Sequence, residues 1–217
     1  MRVLIIGSKG FVGVATKALF EERGLHVLEY DLMSGQDIRD MAQLEEFINA
    51  YRPERILNLA AVARFTDAQK NRELARQINS FGCAFVASIA RKLHIPVVYS
   101  STGSVYMPIS REMPITEDFP TMSDPVYEED NQYAKFKLEG EKHIRDLQTT
   151  WIILRYSHLY GANKHYHGIV GGFLDRIIAG EKPVIYGGKQ TNDLCYIKDI
   201  AEANYLAVTA GWDKQNQ

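Results

Sequence analysis

Only two cysteines, Cys83 and Cys195, occur in 217 residues, far apart and without metal-ligand companions at useful spacing. A disulfide framework and a zinc ribbon are therefore excluded, and the reading is reduced structural thiols in a cytoplasmic protein. No apolar run approaches the length of a membrane span. The N-terminus has no basic n-region, long apolar segment or cleavage site, so secretion is not expected. Charge of one sign is missing as well: 25 Lys and Arg stand against 27 Asp and Glu, a net charge of −2. With the cations scattered, neither nucleic acid nor a membrane surface is implied as a partner. Internal repeats and low-complexity tracts are also absent. What remains is an ordinary globular composition, 46% hydrophobic and 24% charged. It fits one domain over residues 1–217 with a small appended lobe.

The first dozen residues organise the rest. Val3-Leu4-Ile5-Ile6 reads as a strand buried on both faces, as in the middle of a parallel sheet. Gly7, Gly10 and Gly13 follow, with Phe11 and Val12 between the last two, and an amphipathic run then ends at Gly24, a helix C-cap. Strand, glycine turn and helix together form a phosphate-binding device. Gly7 permits the turn, Gly10 lets backbone approach a pyrophosphate, and Gly13 lets helix pack on strand. A second strand, His26 to Tyr30, ends in Asp31, where an acid grips the adenosine ribose hydroxyls. A carboxylate there repels a 2′-phosphate, so NAD is favoured over NADP.

The rest of the chain alternates strand and helix. Asp37 either caps a helix from Met41 to Tyr51, the first choice on the residues alone, or faces an adenine amino group. A third strand from Arg55 runs into Ala60 and Ala61, whose small side chains leave room for a ligand or serve close packing. Residues 67–93 read as one long helical stretch, and His94 to Tyr99 as a fourth strand. The hydroxyl cluster Ser100 to Ser104 follows it directly, at the sheet edge where ligands bind. A Pro- and acid-rich loop, Met107 to Asp130, is expected to flank the site. Helix returns from Asn131 to Leu147, strand from Trp151 to Tyr156, helix within Gly168–Gly180, and a final helix from Asp199. His158, His165 and His167 lack carboxylate or cysteine companions at ligand spacing, so no metal is expected. The fold class is α/β, a doubly wound parallel sheet.

Tyr133 and Lys137 are four apart in a helical run and share a face. An ammonium beside a phenol favours the phenolate and suits the tyrosine to general acid/base work. The order of four stretches is specific: the Gly7–Gly13 loop, Ser100 to Tyr106, Tyr133-x-x-x-Lys137, and Gly168 through Gly180 to Tyr196-Ile197-x-Asp199. In these the sequence resembles the extended short-chain dehydrogenase/reductase family, in particular its nucleotide-sugar epimerases and dehydratases. The resemblance implies that Thr102 hydrogen-bonds the reacting oxygen, Tyr133 exchanges its proton, and Lys137 binds the nicotinamide ribose and tunes Tyr133. It further implies that Asp31 holds the adenosine ribose, Asp37 and Ile38 lie by the adenine, and Ala60, Ala61 and Asn79 line the cofactor. Tyr156 and His158 would cover the nicotinamide. A homodimer and a nucleotide-sugar substrate are implied in the same way.

Departures refine this. Gly103-Ser104 replaces the Asp-Glu pair of sugar 4,6-dehydratases, which favours epimerisation over dehydration. Asn192 stands where relatives carry an arginine for the substrate diphosphate, and asparagine brings no charge. The loop between Thr102 and Tyr133 is long, and the chain stops at Gln217, soon after the last helix. The substrate lobe, about residues 157–195, is therefore expected to be small and incomplete. Three readings follow, in order: an NAD-dependent sugar-nucleotide epimerase, an NAD(P)H-dependent reductase of a keto sugar or other carbonyl, and a catalytically silent dinucleotide-binding regulator or scaffold.

Overall fold

In β1 (Arg2–Ile6), alternate residues enter two different cores. Leu4 and Ile6 join Tyr30, Leu44, Ile48, Val86 and Ile144 on one face, while Val3 and Ile5 join Phe20, Leu57, Val98 and Val208 on the other. A strand apolar on both sides belongs at the centre of a sheet covered twice. The computed structural model describes residues 1–106, 114–122, 131–146, 150–162, 168–185, 187–189 and 191–211.

Five parallel strands form the main sheet in the order β2-β1-β3-β4-β5, with β2 His26–Tyr30, β3 Arg55–Asn58, β4 Val97–Thr102 and β5 Trp151–Tyr156. Helix α1 (Phe11–Glu22) covers one face, while α2 (Met41–Tyr51) and α5 (Cys83–Lys92) cover the other. Between them run α3 (Phe65–Lys70), α4 (Arg72–Arg76) and a π-helical turn, Gln77–Gly82. Helix α6 (Gln132–Asp146) packs on α5 and that turn. A second, two-stranded parallel sheet pairs β6 (His158–Tyr160) with β7 (Leu194–Tyr196). Helix α7 (Ile169–Ile178) precedes β7, and α8 (Ile197–Thr209) returns to pack on α1. The doubly wound parallel sheet read from the sequence is the observed architecture.

Local differences have physical reasons. Pro96 offers no N–H to the ladder, so β4 starts at Val97 and absorbs Ser100, Ser101 and Thr102 as its buried C-terminal half. The expected long helix is interrupted at Asn71, which caps α4 through Leu74 N–H, and again by the π-turn. Val184 and Ile185 are exposed and outside any strand. The expected Met107–Asp130 loop lies largely outside the described residues, as do His165 and His167.

Candidate active site

The glycine loop takes its shape from close backbone contacts. Gly7 has φ of +85°, and a Cβ there would lie 2.8 Å from the Ala60 amide nitrogen. A Cβ on Gly13 would strike the Gly7 carbonyl and come within 2.6 Å of Ser8. Both positions require glycine. Gly10 is the N-cap of α1, and Phe11 and Val12 open its first turn, so the helix directs its N-terminal amides and dipole at the loop.

A cavity opens beside this loop. It is lined by Gly7 and Gly10, by Asp31 at the end of β2, and by Asp37, Ile38, Ala60 and Ala61, with Lys9, Leu32, Met33 and Ile78 completing the wall. Asp31 Oδ2 accepts the Lys9 amide at 2.9 Å and Oδ1 accepts the Met33 amide at 2.8 Å, which aims the carboxylate into the cavity mouth. Ala60 serves both roles that the sequence left open, close packing against Gly7 and cavity lining, while Ala61 lines the cavity. A turn that excludes any Cβ, a helix N-terminus and an anchored acid fit a dinucleotide: pyrophosphate at the loop, adenosine ribose at Asp31.

Asp37 is not the helix cap. Asp40 caps α2 by accepting Gln43 N–H at 3.0 Å, because the chain needs one further turn, closed by Asp40 N–H on the Asp37 carbonyl, to enter the helix. Asp37 lines the cavity, paired with Arg39, whose guanidinium holds its carboxyl below the usual range. Asn79 stands behind the cavity wall. Its Oδ1 accepts the Val62 amide at 2.8 Å and its Nδ2 donates to the Val62 carbonyl at 3.2 Å, so it shapes the loop after β3 with both side-chain groups.

At the end of β4, Thr102 is buried and its Oγ1 accepts the Ser104 amide at 3.2 Å, leaving its O–H to donate. Tyr133 opens the inner face of α6 and packs against Ala68, Ala75 and Phe136. One turn on, Lys137 is 1% exposed and its Nζ donates to the Ser100 carbonyl at 2.8 Å. Burial lowers its pKa from 10.5 to about 8. The strand end carrying Thr102 and the helix carrying Tyr133 and Lys137 are thus joined by a direct bond.

Tyr156 ends β5 in register with Thr102, and His158 opens β6. The Tyr156 hydroxyl donates to Asn204 Oδ1 on α8, and Asn204 Nδ2 donates to Thr16 Oγ1 on α1. The Tyr156 hydroxyl therefore ties the sheet to the helix layer. His158 is exposed at the start of β6, and its amide donates to the Asp193 carbonyl at 3.1 Å. Glu141 and Arg155, which the sequence did not single out, form an ion pair one turn beyond Lys137, with the carboxylate buried and the guanidinium half-buried. Glu141 at four residues past Lys137 on the same helix face was the available signal.

Residues 3–216 match the NAD dependent epimerase/dehydratase family. A putative UDP-glucose 4-epimerase of Methanocaldococcus jannaschii is 28% identical, over 95% of this chain and 73% of its own. A dTDP-4-keto-6-deoxy-D-glucose reductase of Streptomyces niveus is 31% identical, over 74% of this chain and 53% of its own. The chain thus spans about half the length of that reductase. The crystal structure of Thermus thermophilus UDP-glucose 4-epimerase in complex with NAD superposes with a TM-score of 0.84 at 26% identity, covering 97% of this chain and 75% of that one. NAD, expected from Asp31 and the glycine loop, is the cofactor of this group. With its sheet order, its glycine loop and a match along nearly its whole length, the chain belongs to the NAD-dependent epimerase/dehydratase family, within the extended short-chain dehydrogenases/reductases.

Proposed function

We propose that the protein acts on a nucleotide sugar by reversible hydride transfer, as an epimerase that keeps its NAD through the cycle. The observation that carries this reading is the buried Lys137, bonded to the end of β4 and one helical turn from Tyr133. Bound NAD supplies the hydride acceptor. Tyr133 removes the proton from the sugar hydroxyl and returns it to the ketone. Thr102 donates a hydrogen bond to the same oxygen, and Lys137 favours the phenolate by its charge. The surrounding apolar packing excludes water from the transfer. Residues 157–195, which include β6 and α7, contribute to the substrate lobe, and the protein works as a cytoplasmic homodimer.

A second reading, a reductase that consumes NAD(P)H once per turnover, is favoured by the 31% identity to a sugar-nucleotide reductase. One experiment separates the two. The purified protein is denatured and any released nucleotide identified by mass spectrometry. Stoichiometric NAD supports the epimerase, and inversion of a UDP-sugar is then assayed. Protein that releases none but binds NADH on titration overturns it in favour of the reductase.

A further inference from the structure

Glu141 is a buried acid that the chemistry above leaves unused. It lies one turn beyond Lys137 on α6 and is 2% exposed. Its Oε1 accepts Ser101 Oγ at 2.5 Å and Arg155 Nε at 2.9 Å, while Oε2 accepts Arg155 Nη2 at 2.7 Å and Arg145 Nη2 at 3.3 Å. Arg155 in turn donates to the Glu117 carbonyl at 3.2 Å. A single carboxylate thereby joins α6, β4 and β5, and through Arg155 the segment 114–122.

Stability alone does not explain such a pair, because taking a carboxylate out of water costs much of what the ion pair returns, even with a half-buried partner. Its location does. Ser101 sits between Ser100, whose carbonyl takes Lys137 Nζ, and Thr102. The groups facing Lys137 are Glu141 on its own helix, Cys83 on α5 and Tyr99 on β4, with Tyr133 one helical turn before it. Burial pushes the Cys83 thiol up to about 12 and the Tyr99 phenol well above its usual value, so neither is an anion at neutral pH. Among these groups Glu141 brings the counter-charge.

We propose that Glu141 is a positioning residue for the catalytic set. Clamped by Arg155, it holds the Ser100–Thr102 end of β4 against α6 and keeps the Lys137 ammonium charged one turn from Tyr133. The inference rests on the assignment of Tyr133 and Lys137 made above.

The test follows the titration of Tyr133 by NMR in protein labelled with ring-13C tyrosine, its signal assigned by loss in Tyr133→Phe. Two variants are compared with the wild type: Glu141→Gln alone, and Glu141→Gln combined with Arg155→Met. The double variant leaves no Arg155 guanidinium without its carboxylate and is expected to melt closer to the wild type than Glu141→Gln alone. In Glu141→Gln the Tyr133 midpoint is expected to rise by about one pH unit, since a less charged Lys137 supports the phenolate less. In the double variant, where a cation leaves with the carboxylate, it is expected to rise by a smaller amount. A folded double variant that titrates like the wild type overturns the proposal. So does failure of both variants to fold, which would assign the pair to stability. The titration needs no sugar substrate, so a lack of turnover would count against the proposed reaction and leave this result readable.

Discussion

Lys137 Nζ donates to the Ser100 carbonyl at 2.8 Å, and this bond fixes a buried ammonium to the end of the central sheet. The same burial lowers its pKa from 10.5 to about 8. Between those values the unfolded chain binds more protons than the folded one, so stability rises as pH climbs through this window. The penalty carried below pH 8 is on the order of 3 kcal/mol. Cys83 and Tyr99, whose pKa values burial raises, act in the opposite direction in this window but equally in both the wild type and Lys137→Met. In urea melts the stability of the wild type relative to Lys137→Met should therefore rise as pH climbs. Parallel profiles in the two proteins would show that Lys137 is not the group responsible.

Tyr133→Phe removes the hydroxyl but keeps the ring that packs on Ala68, Ala75 and Phe136. Turnover should fall by roughly 10²–10⁴-fold, the scale of a general acid/base. Binding of NAD, read by calorimetry, should change little. Full activity in this variant would remove Tyr133 from the mechanism.

Asp31 faces the cavity mouth with both oxygens anchored by amides. In Asp31→Ala, NAD loses a charged hydrogen-bond partner while a 2′-phosphate escapes repulsion. The ratio of NADP to NAD dissociation constants should narrow by about tenfold or more, the equivalent of one charged hydrogen bond. An unchanged ratio would place the ribose elsewhere.

Two glycines in helices should respond oppositely to alanine. A Cβ on Gly140 in α6 would strike the Tyr99 hydroxyl and lie 2.8 Å from the Asn79 carbonyl, so Gly140→Ala should cost about 1–3 kcal/mol. Because it shifts the helix carrying Tyr133 and Lys137, it should also lower turnover. Gly172 in α7 has open space around it, so Gly172→Ala should raise stability by up to about 1 kcal/mol. Thermal melts of both variants decide the contrast.

The sheet and the glycine loop were legible because they depend on local pattern: an apolar run, three spaced glycines and an acid one strand later. Tyr133 and Lys137 were legible as a helical i, i+4 pair. What escaped was every choice made by a distant partner. Asn79 turns to Val62, 17 residues earlier. The Tyr156 hydroxyl goes to Asn204, 48 residues later. Asp37 and Asp40 offer the same chemistry for a helix cap, and the turn geometry between them chose Asp40. Glu141 is fixed by Ser101 and Arg155, which close on it from two strands.

The chain Thr16–Asn204–Tyr156, with Arg23 paired to Glu202 beside it, has a consequence in time. Thr16 and Asn204 are 188 residues apart. During synthesis, the helix that follows the glycine loop emerges well before its partner helix, α8, which is made some 188 residues later. Closing so long a loop comes late and slowly compared with local pairing. The phosphate-binding helix is therefore completed only after α8 has been made, and until then the side of α1 that carries Thr16 waits uncovered.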